Sequence, residues 1–412
     1  MKTKKILAVM ISLFICITLS ACKNKSKNSE ESKDKNLNIY VDIKDKNSLN
    51  IIKYLTEEYK KENPQFKIKV NDVLGGGNNV FEDISKGTEA DLIFTSRNTM
   101  MELAQKGLIA DMAQQYERNK IGDKFHKIVS SYGRVGEKYY GIGIMPYTME
   151  VFYNSEALSK LGIAAPTNIK EMAVVIKKLS SSNIRIPVVL PEDLDINTAL
   201  SAIVASNTVK LSQLDAAYNN KEAYKNIKDM QRIFDDINTI VKETQLNKNI
   251  FELGNDSTIN ALANGTIPIL ISTSYYSETL SNGKVNLVEN YTITPNKTGN
   301  VPIIMNSILC VPTNGKNQEA AGKFIKFVIS DDTQEKLTKK GYVTGNKKSD
   351  EKLSGLGASI SKHLMGAGDD NIVYVYSLPQ KYQGVISSKI DAILSGKYSG
   401  KEWHEIVDEA SK

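Results

Sequence analysis

The chain has 412 residues, 41% of them hydrophobic, with a formal charge of +6, three cysteines and one tryptophan. That length buries a large core and suggests roughly two domains. Lysines and acids are interleaved, so no basic stripe marks a nucleic-acid partner, and so few cysteines exclude a disulfide scaffold.

At the N-terminus Lys2, Lys4 and Lys5 precede an apolar run from Ile6 to Leu19. That run is too short to cross a bilayer as a stable helix and reads as the core of an export signal. Leu19-Ser20-Ala21-Cys22 follows and resembles a bacterial lipobox. The resemblance implies lipid on the Cys22 thiol, cleavage before it, and acylation (as by palmitate) of the new amino group. Residues 1–21 are then a lipoprotein signal peptide, and their loss removes three lysines and no acid, lowering the charge to +3. Lys23 to Asn36 contains no apolar residue, so 22–36 is expected to be a flexible tether. The protein is expected on the extracellular face of the cytoplasmic membrane, lipid-anchored. Cys310 would remain the lone thiol, inside the apolar run Ile308-Leu309-Cys310-Val311.

Folded sequence begins at Leu37. Leu37, Ile39 and Val41 alternate with polar residues as a strand; Leu49, Ile52, Leu55 and Tyr59 then form one helical face, stopped at Asn63-Pro64. Phe66, Ile68 and Val70 alternate again. A strand–helix–strand unit of this length implies a parallel sheet. Gly75-Gly76-Gly77-Asn78 follows, then a strand over Asp91 to Phe94 and a helix over Met100 to Lys106. Tyr139 to Ile144 and Glu150 to Tyr153 read as extended. Asn168 with Glu171 three positions on opens a helix striped by Met172, Val175, Ile176 and Leu179. Residues 190–250 read as mostly helical, and Ile267 to Ile271 as a short apolar strand. Ala320, Phe324, Phe327 and Val328 repeat at helical spacing, and Ser330 caps a further helix. Ser399-x-x-Glu402 reads as a capping box before Trp403, Ile406, Val407 and Ala410, whose spacing places the tryptophan in the core.

Catalytic signatures do not assemble. Lys297-Thr298-Gly299 and Ser359-x-x-Lys362 occur in the reverse of their order in penicillin-binding enzymes, and no Gly-x-Ser-x-Gly elbow is present. His126, His363 and His404 lack metal-ligand spacing and read as surface or structural. The glycine triplet lacks the Lys-Ser/Thr ending of a phosphate loop. The expectation is a protein that is no enzyme and carries no metal or cofactor.

Several segments in register resemble the family-1 extracellular solute-binding proteins of ABC importers, the maltose-binding-protein-like sugar binders. They are Tyr59 to Pro64 with Ile68-Lys69-Val70; Glu89 to Ile93; Leu103-Ala104 to Gly107-Leu108-Ile109; and Lys138 to Gly143. The series continues with Phe152-Tyr153-Asn154, Leu161-Gly162 and Pro166-Thr167; Phe251-x-x-Gly254 with Asn264-Gly265; Ala320 to Ser330; and Ile393 to Gly396 with Glu402. Two departures stand out: Asn168 occupies the slot of a usual tryptophan, and Thr344 or Gly345 that of a frequent proline. With Trp403 committed to the core, stacking on a sugar ring would fall to tyrosine.

The resemblance implies an α/β, two-lobe periplasmic-binding-protein-like fold of type II, each lobe a mostly parallel sheet flanked by helices, with the ligand cleft between lobes. Lobe 1 would use 37–146 and 301–345, and lobe 2 would use 147–300 and 346–412. Ligand contacts are expected at strand ends: Gly77 and Asn78, Ser96 and Arg97, Tyr147 at the first crossing, and Ser274, Tyr275 and Tyr276 where the family places a stacking aromatic. Asn306 and Tyr342 are expected from the returning lobe-1 segments, and Tyr376, with Tyr374, from the last crossing; Tyr153 reads equally as core. Arg97 could grip a hydroxyl pair or a carboxylate. The implied partners are a small solute, a sugar or oligosaccharide, and ABC-transporter membrane subunits; the protein is expected to be a monomer. Alternatives of the same fold are a ferric-ion binder using Tyr275-Tyr276 or a sensor feeding a signalling protein, and a surface hydrolase is the alternative of another class.

Overall fold

The computed structural model describes residues 35–72, 79–281, 284–292 and 299–412. Cys22, Gly77, Asn78, Lys297 and Thr298 lie outside the described residues, as do the signal and most of the tether.

The strands in chain order are β1 (Asn36–Val41), β2 (Lys67–Asp72), β3 (Leu92–Thr95), the hairpin β4 (Arg134–Val135) and β5 (Lys138–Tyr139), and β6 (Ile142–Gly143). They continue with β7 (Pro146–Asn154), β8 (Ile186–Val189), β9 (Phe251–Leu253), β10 (Ile269–Thr273), β11 (Val285–Leu287), β12 (Ile303–Met305) and β13 (Ile308–Cys310). Two sheets result, ordered β2-β1-β3-β13-β6 and β11-β7-β10-β8-β9, with β12 beside the start of β7. Each is mixed. A parallel set (β2-β1-β3, with Ile39 opposite Val70 and Leu92; β10-β8-β9) is extended by antiparallel β13 and β6 or by β7 and β11.

The alternation of Leu37, Ile39 and Val41 is that of a strand packed hard on one face, and all three are buried. The following helix, Lys46–Glu62, starts two residues before Ser48 because Asp45 caps it, its side chain accepting from Ser48 N at 2.8 Å. Its buried face (Ile51, Ile52, Leu55, Tyr59) covers the first sheet. Tyr59 meets Phe66, Phe324 and Phe327 at ring-centroid distances of 5.5, 5.0 and 5.2 Å, joining this helix to Gln318–Val328. In the second lobe Asn168 caps helix Ile169–Ser181, and Glu171 reaches back to Thr167 N. Region 190–250 is largely helical, with Ile196–Ala205 and Lys228–Thr244 packed against Lys381–Leu394. Trp403 is buried and donates from Nε1 to Tyr224 O at 2.7 Å. The box expected before it is half made. Glu402 accepts from Ser399 N and Gly400 N, but it stands first in helix Glu402–Ala410, so Ser399 cannot cap that helix's third turn-forming amide.

The chain passes between the lobes twice side by side, at Ile144-Met145 and Asn306-Ser307. Ile144 N donates to Ser307 O at 3.0 Å and Asn306 N to Met145 O at 2.9 Å, which ties the crossings into a narrow ladder. β7 is longer than its sequence suggests because Pro146 stands at its first position, where a missing N–H costs no ladder bond. A third passage follows helix Asp331–Thr338. There Asp350 accepts from Thr344 N, Thr344 Oγ1 and Gly345 N at 2.9, 3.0 and 2.8 Å. Gly345 has φ +78°, a conformation closed to proline.

Candidate ligand cleft

Two cavities matter. The larger, about 900 Å³, runs beside Tyr153, Ser277, Glu278, Gly341 and the start of helix Gly355–Met365, away from the parallel strand ends. The smaller, about 370 Å³, is walled by both lobes. Asp42 to Asp45 after β1 and Ser96 to Thr99 after β3 form one wall; Pro191, Glu192 and Asp193 after β8 form another. Tyr147 and Asn306 from the paired crossings make the floor, with Tyr376 and Gln380 from the returning segment. Loops at the carboxyl ends of parallel strands, drawn from two bodies, are where such sheets bind small molecules, so geometry favours this smaller cleft over the larger groove.

Its polar groups are held in place. Thr95 Oγ1 donates to Asp42 Oδ2 at 2.9 Å; burial nonetheless pushes the Asp42 carboxyl up, against the bonds from Thr95 and Thr99 and the charge of Lys44. Asp193 is likewise pushed up, first by desolvation, with Tyr376's hydroxyl opposing and Asp45 and Glu192 adding to the rise. Tyr147 is buried, its hydroxyl accepting from Asn306 Nδ2 at 3.0 Å, while Asn306 Oδ1 accepts from Ser307 Oγ at 2.9 Å. Ser96 caps helix Arg97–Gln105. The cleft thus offers several hydrogen-bond acceptors, side-chain amides and three tyrosines (Tyr132, Tyr147 and Tyr376), a surface suited to hydroxyl-rich solutes.

The expected residues divide. Ser96, Arg97, Tyr147, Asn306 and Tyr376 line the cleft. Arg97 does so with its donors already spent, which corrects the expectation that it grips a ligand. The side chain is 1% exposed and donates from Nε to Ser377 Oγ at 3.0 Å and from Nη2 to Asp215 Oδ2 at 2.9 Å. Its Nη1 meets the carbonyls of Ser131, Tyr132 and Arg134 at 3.2, 2.6 and 3.1 Å. Ser274, Tyr275, Tyr276 and Tyr342 stand beside the cleft instead of lining it. Ser274 Oγ accepts from Thr148 N at 3.0 Å. Tyr275 gathers Tyr147, Tyr276 and Tyr342 around it at 5.7, 5.1 and 5.6 Å between ring centroids. Tyr276 bridges the lobes: its hydroxyl accepts from Asn47 Nδ2 at 3.2 Å and donates to Asp256 Oδ1 at 3.1 Å, and desolvation first pushes its pKa up to about 12. Asp256 is thus a carboxylate beside the tyrosine pair that sequence spacing did not reveal, although no cluster of three or more His, Cys, Asp or Glu among the described residues is placed to hold a metal ion. Tyr374 is core, its hydroxyl 3.0 Å from Ser201 Oγ, and Tyr153 faces the larger groove.

Asp42, Asp45, Glu192 and Asp193 were missed. The strand-end rule that singled out Ser96 applies equally to Asp42 and Asp45; Glu192 and Asp193 were hidden in a stretch read as helical, where they follow β8. Cys310 is buried and free, its thiol pushed up by desolvation. Of the histidines, His126 is buried and His363 pairs with Glu150 at 2.8 Å.

Comparison with known proteins gives the same architecture. The family profile "Bacterial extracellular solute-binding protein" matches residues 45–335. A multiple sugar-binding protein of Streptococcus mutans is 23% identical over 180 residues, covering 43% of this chain and 41% of that protein. Among solved structures, the sugar-binding protein MalE of Xanthomonas citri superposes with TM-score 0.67 at 13% identity, over 91% of this chain and 96% of its own. The GacH receptor of Streptomyces glaucescens, solved unliganded and with acarbose, gives 0.63 at 16% identity, over 91% and 97%. These likenesses establish a two-lobe type II solute-binding fold.

Proposed function

The chain belongs to the bacterial extracellular solute-binding proteins, and on that premise we propose that it is a membrane-tethered lipoprotein delivering a small polar solute, a carbohydrate, to an ABC importer. One observation carries the reading: a cleft of about 370 Å³ whose polar walls come from both lobes, joined by the paired crossings. That volume lies near the lower end of the roughly 300–1,000 Å³ usual for ligand pockets. Support for a sugar comes from the acceptor-rich walls and from relatives named for sugars or solved with acarbose. Lobe 1 comprises 37–146 and 301–345, lobe 2 comprises 147–300 and 346–412, and Cys22 carries the lipid. Within this reading Ser96, Tyr147, Asn306 and Tyr376 meet the solute, with Gly77 and Asn78 after β2 and the Ser274-Tyr275-Tyr276 and Tyr342 group extending the site. Solute affinity for the closed pair of lobes sets its population, and that population is the signal to a permease or to a sensor.

A thermal-shift panel of sugars, oligosaccharides, amino acids and ferric salts tests the reading. A ligand at a hundredfold excess over its Kd stabilises the fold by about 2.7 kcal/mol. A sugar response weakened in Tyr147→Ala and Tyr376→Ala is the expected result. A response to iron alone overturns the carbohydrate assignment, and turnover of an ester or peptide revives the hydrolase. For the anchor, Cys22→Ser is expected to move the protein from the membrane fraction to the medium.

A further inference from the structure

The lobes meet on two flanks of the cleft, and the flanks are built differently. On one, Arg97 of the β3 side is enclosed by Asp215 and Ser377 of the β7 side. Its neighbour Asn98 donates from Nδ2 to Val375 O and Leu378 O at 3.4 and 3.2 Å, and Asn219 Nδ2 donates to Gln105 Oε1 at 3.2 Å. Arg134 adds a 2.8 Å pair with Asp369. On the other flank Lys46 meets Asp256 at 3.7 Å, both more than 70% exposed, and the remaining contacts are uncharged: the bond from Asn47 to Tyr276, that from Ser277 Oγ to Gly341 O at 3.0 Å, and the Tyr275–Tyr342 rings.

The magnitudes decide which side gives. Separating a buried, hydrogen-bonded charge pair leaves its partners unpaired in low dielectric, whereas an exposed pair is screened and contributes little. Lobe separation at Arg97 would part a 1% exposed guanidinium from Asp215 and Ser377, leaving a buried charge without its counter-charge; separation at Lys46 would hydrate an exposed pair and break the neutral bond from Asn47 to Tyr276. We propose that Arg97 is a positioning residue that pins one flank of the cleft, so that the ligand-free protein opens on the Lys46–Asp256 side alone, about an axis near Arg97. The inference rests on the solute-binding reading only for why opening matters, and its test needs no solute.

Spin labels on exposed sites measure each flank in the full chain carrying Cys16→Ser and Cys22→Ser, with Cys310 buried and out of reach of the label. Asn50→Cys with Asn260→Cys spans the mouth; Lys106→Cys with Glu222→Cys spans the pinned flank. Double electron–electron resonance without solute is expected to give a broad mouth distribution with a second, longer component, and one narrow flank distance. In Asp215→Asn, which keeps the side-chain shape, the flank distribution is expected to broaden as well. Two equally broad or two equally narrow distributions in the otherwise unchanged chain overturn one-sided opening, whether or not the variant folds. A flank that stays narrow in a folded Asp215→Asn protein overturns the role of Arg97. Failure of every solute in the thermal panel would sink the transport reading and leave these distances unaffected.

Discussion

Glu150 and Asp350 are both carboxylates taken out of water, in two regions that stabilise them by different means. Glu150, on β7 just beyond the crossing, has a cationic partner. His363 Nδ1 lies 2.8 Å from its Oε1, and Tyr291's hydroxyl donates to its Oε2 at 2.9 Å. The other imidazole nitrogen faces Glu289 O at 3.1 Å, so both ring nitrogens meet acceptors and the doubly protonated ring satisfies both. Burial alone would lower the His363 pKa; Glu150's charge and bond, with the Glu289 carbonyl, outweigh it and raise it. Asp350, at the third crossing, has among the described residues the Thr344 and Gly345 donors and no cation. Desolvation exceeds what they return, and its pKa is pushed up to about 6. A buried charge with a counter-charge keeps its proton on the base, while one with hydrogen bonds alone takes a proton back near neutrality.

The comparison can be broken hardest at Glu150. Glu150→Ala leaves a partly buried imidazolium and a buried phenol without their acceptor, and a loss of about 3–5 kcal/mol in denaturant unfolding is expected. His363→Gln removes the charge but keeps a donor, so a smaller loss, about 2 kcal/mol, is expected. Its diagnostic is pH. A histidine whose folded pKa is raised contributes stability fully below its unfolded pKa, and that contribution is lost as pH rises through the folded value. The wild-type melting point is therefore expected to fall above the ordinary histidine range, and His363→Gln to flatten that fall. Asp350→Asn, which mimics the neutral acid, should cost only about 1 kcal/mol at acidic pH. Its folded pKa of about 6 lies above the 3.8 of a free aspartate, so the folded state holds its proton longer. Stability is then highest below the unfolded value and is lost as pH rises towards the folded one. The variant should lack this acid-side slope. Lys46→Ala, at the exposed mouth pair, sets the scale's zero with a change within about 0.5 kcal/mol.

What could be read in advance follows the range of the interactions. The β1–helix–β2 unit, the Asn168 cap with Glu171 and the burial of Trp403 were legible because periodicity and capping act over a few residues. Arg97 was placed at the right strand end, yet its destination was invisible, since Asp215 lies 118 positions away and nothing local announces it. The Glu150–His363 pair is hidden in the same way, 213 positions apart. Glu150 alternates on a strand as any surface residue would, and only the helix laid over it makes it interior. The acidic cleft wall failed for a different reason. Pro191-Glu192-Asp193-Leu194-Asp195 resembles a helix start, and Asp195 does cap one, by accepting from Thr198 N, so the preceding loop went unnoticed.

Trp403 has a practical corollary. The chain's lone indole is 1% exposed, packs on Tyr224 and Tyr382, and lines neither cavity. Excited at wavelengths where tyrosine is transparent, the protein should emit from this one position. Its fluorescence will then follow melting of the C-terminal helices and stay dark to solute capture, so an optical titration for cargo needs a dye placed at the cleft mouth.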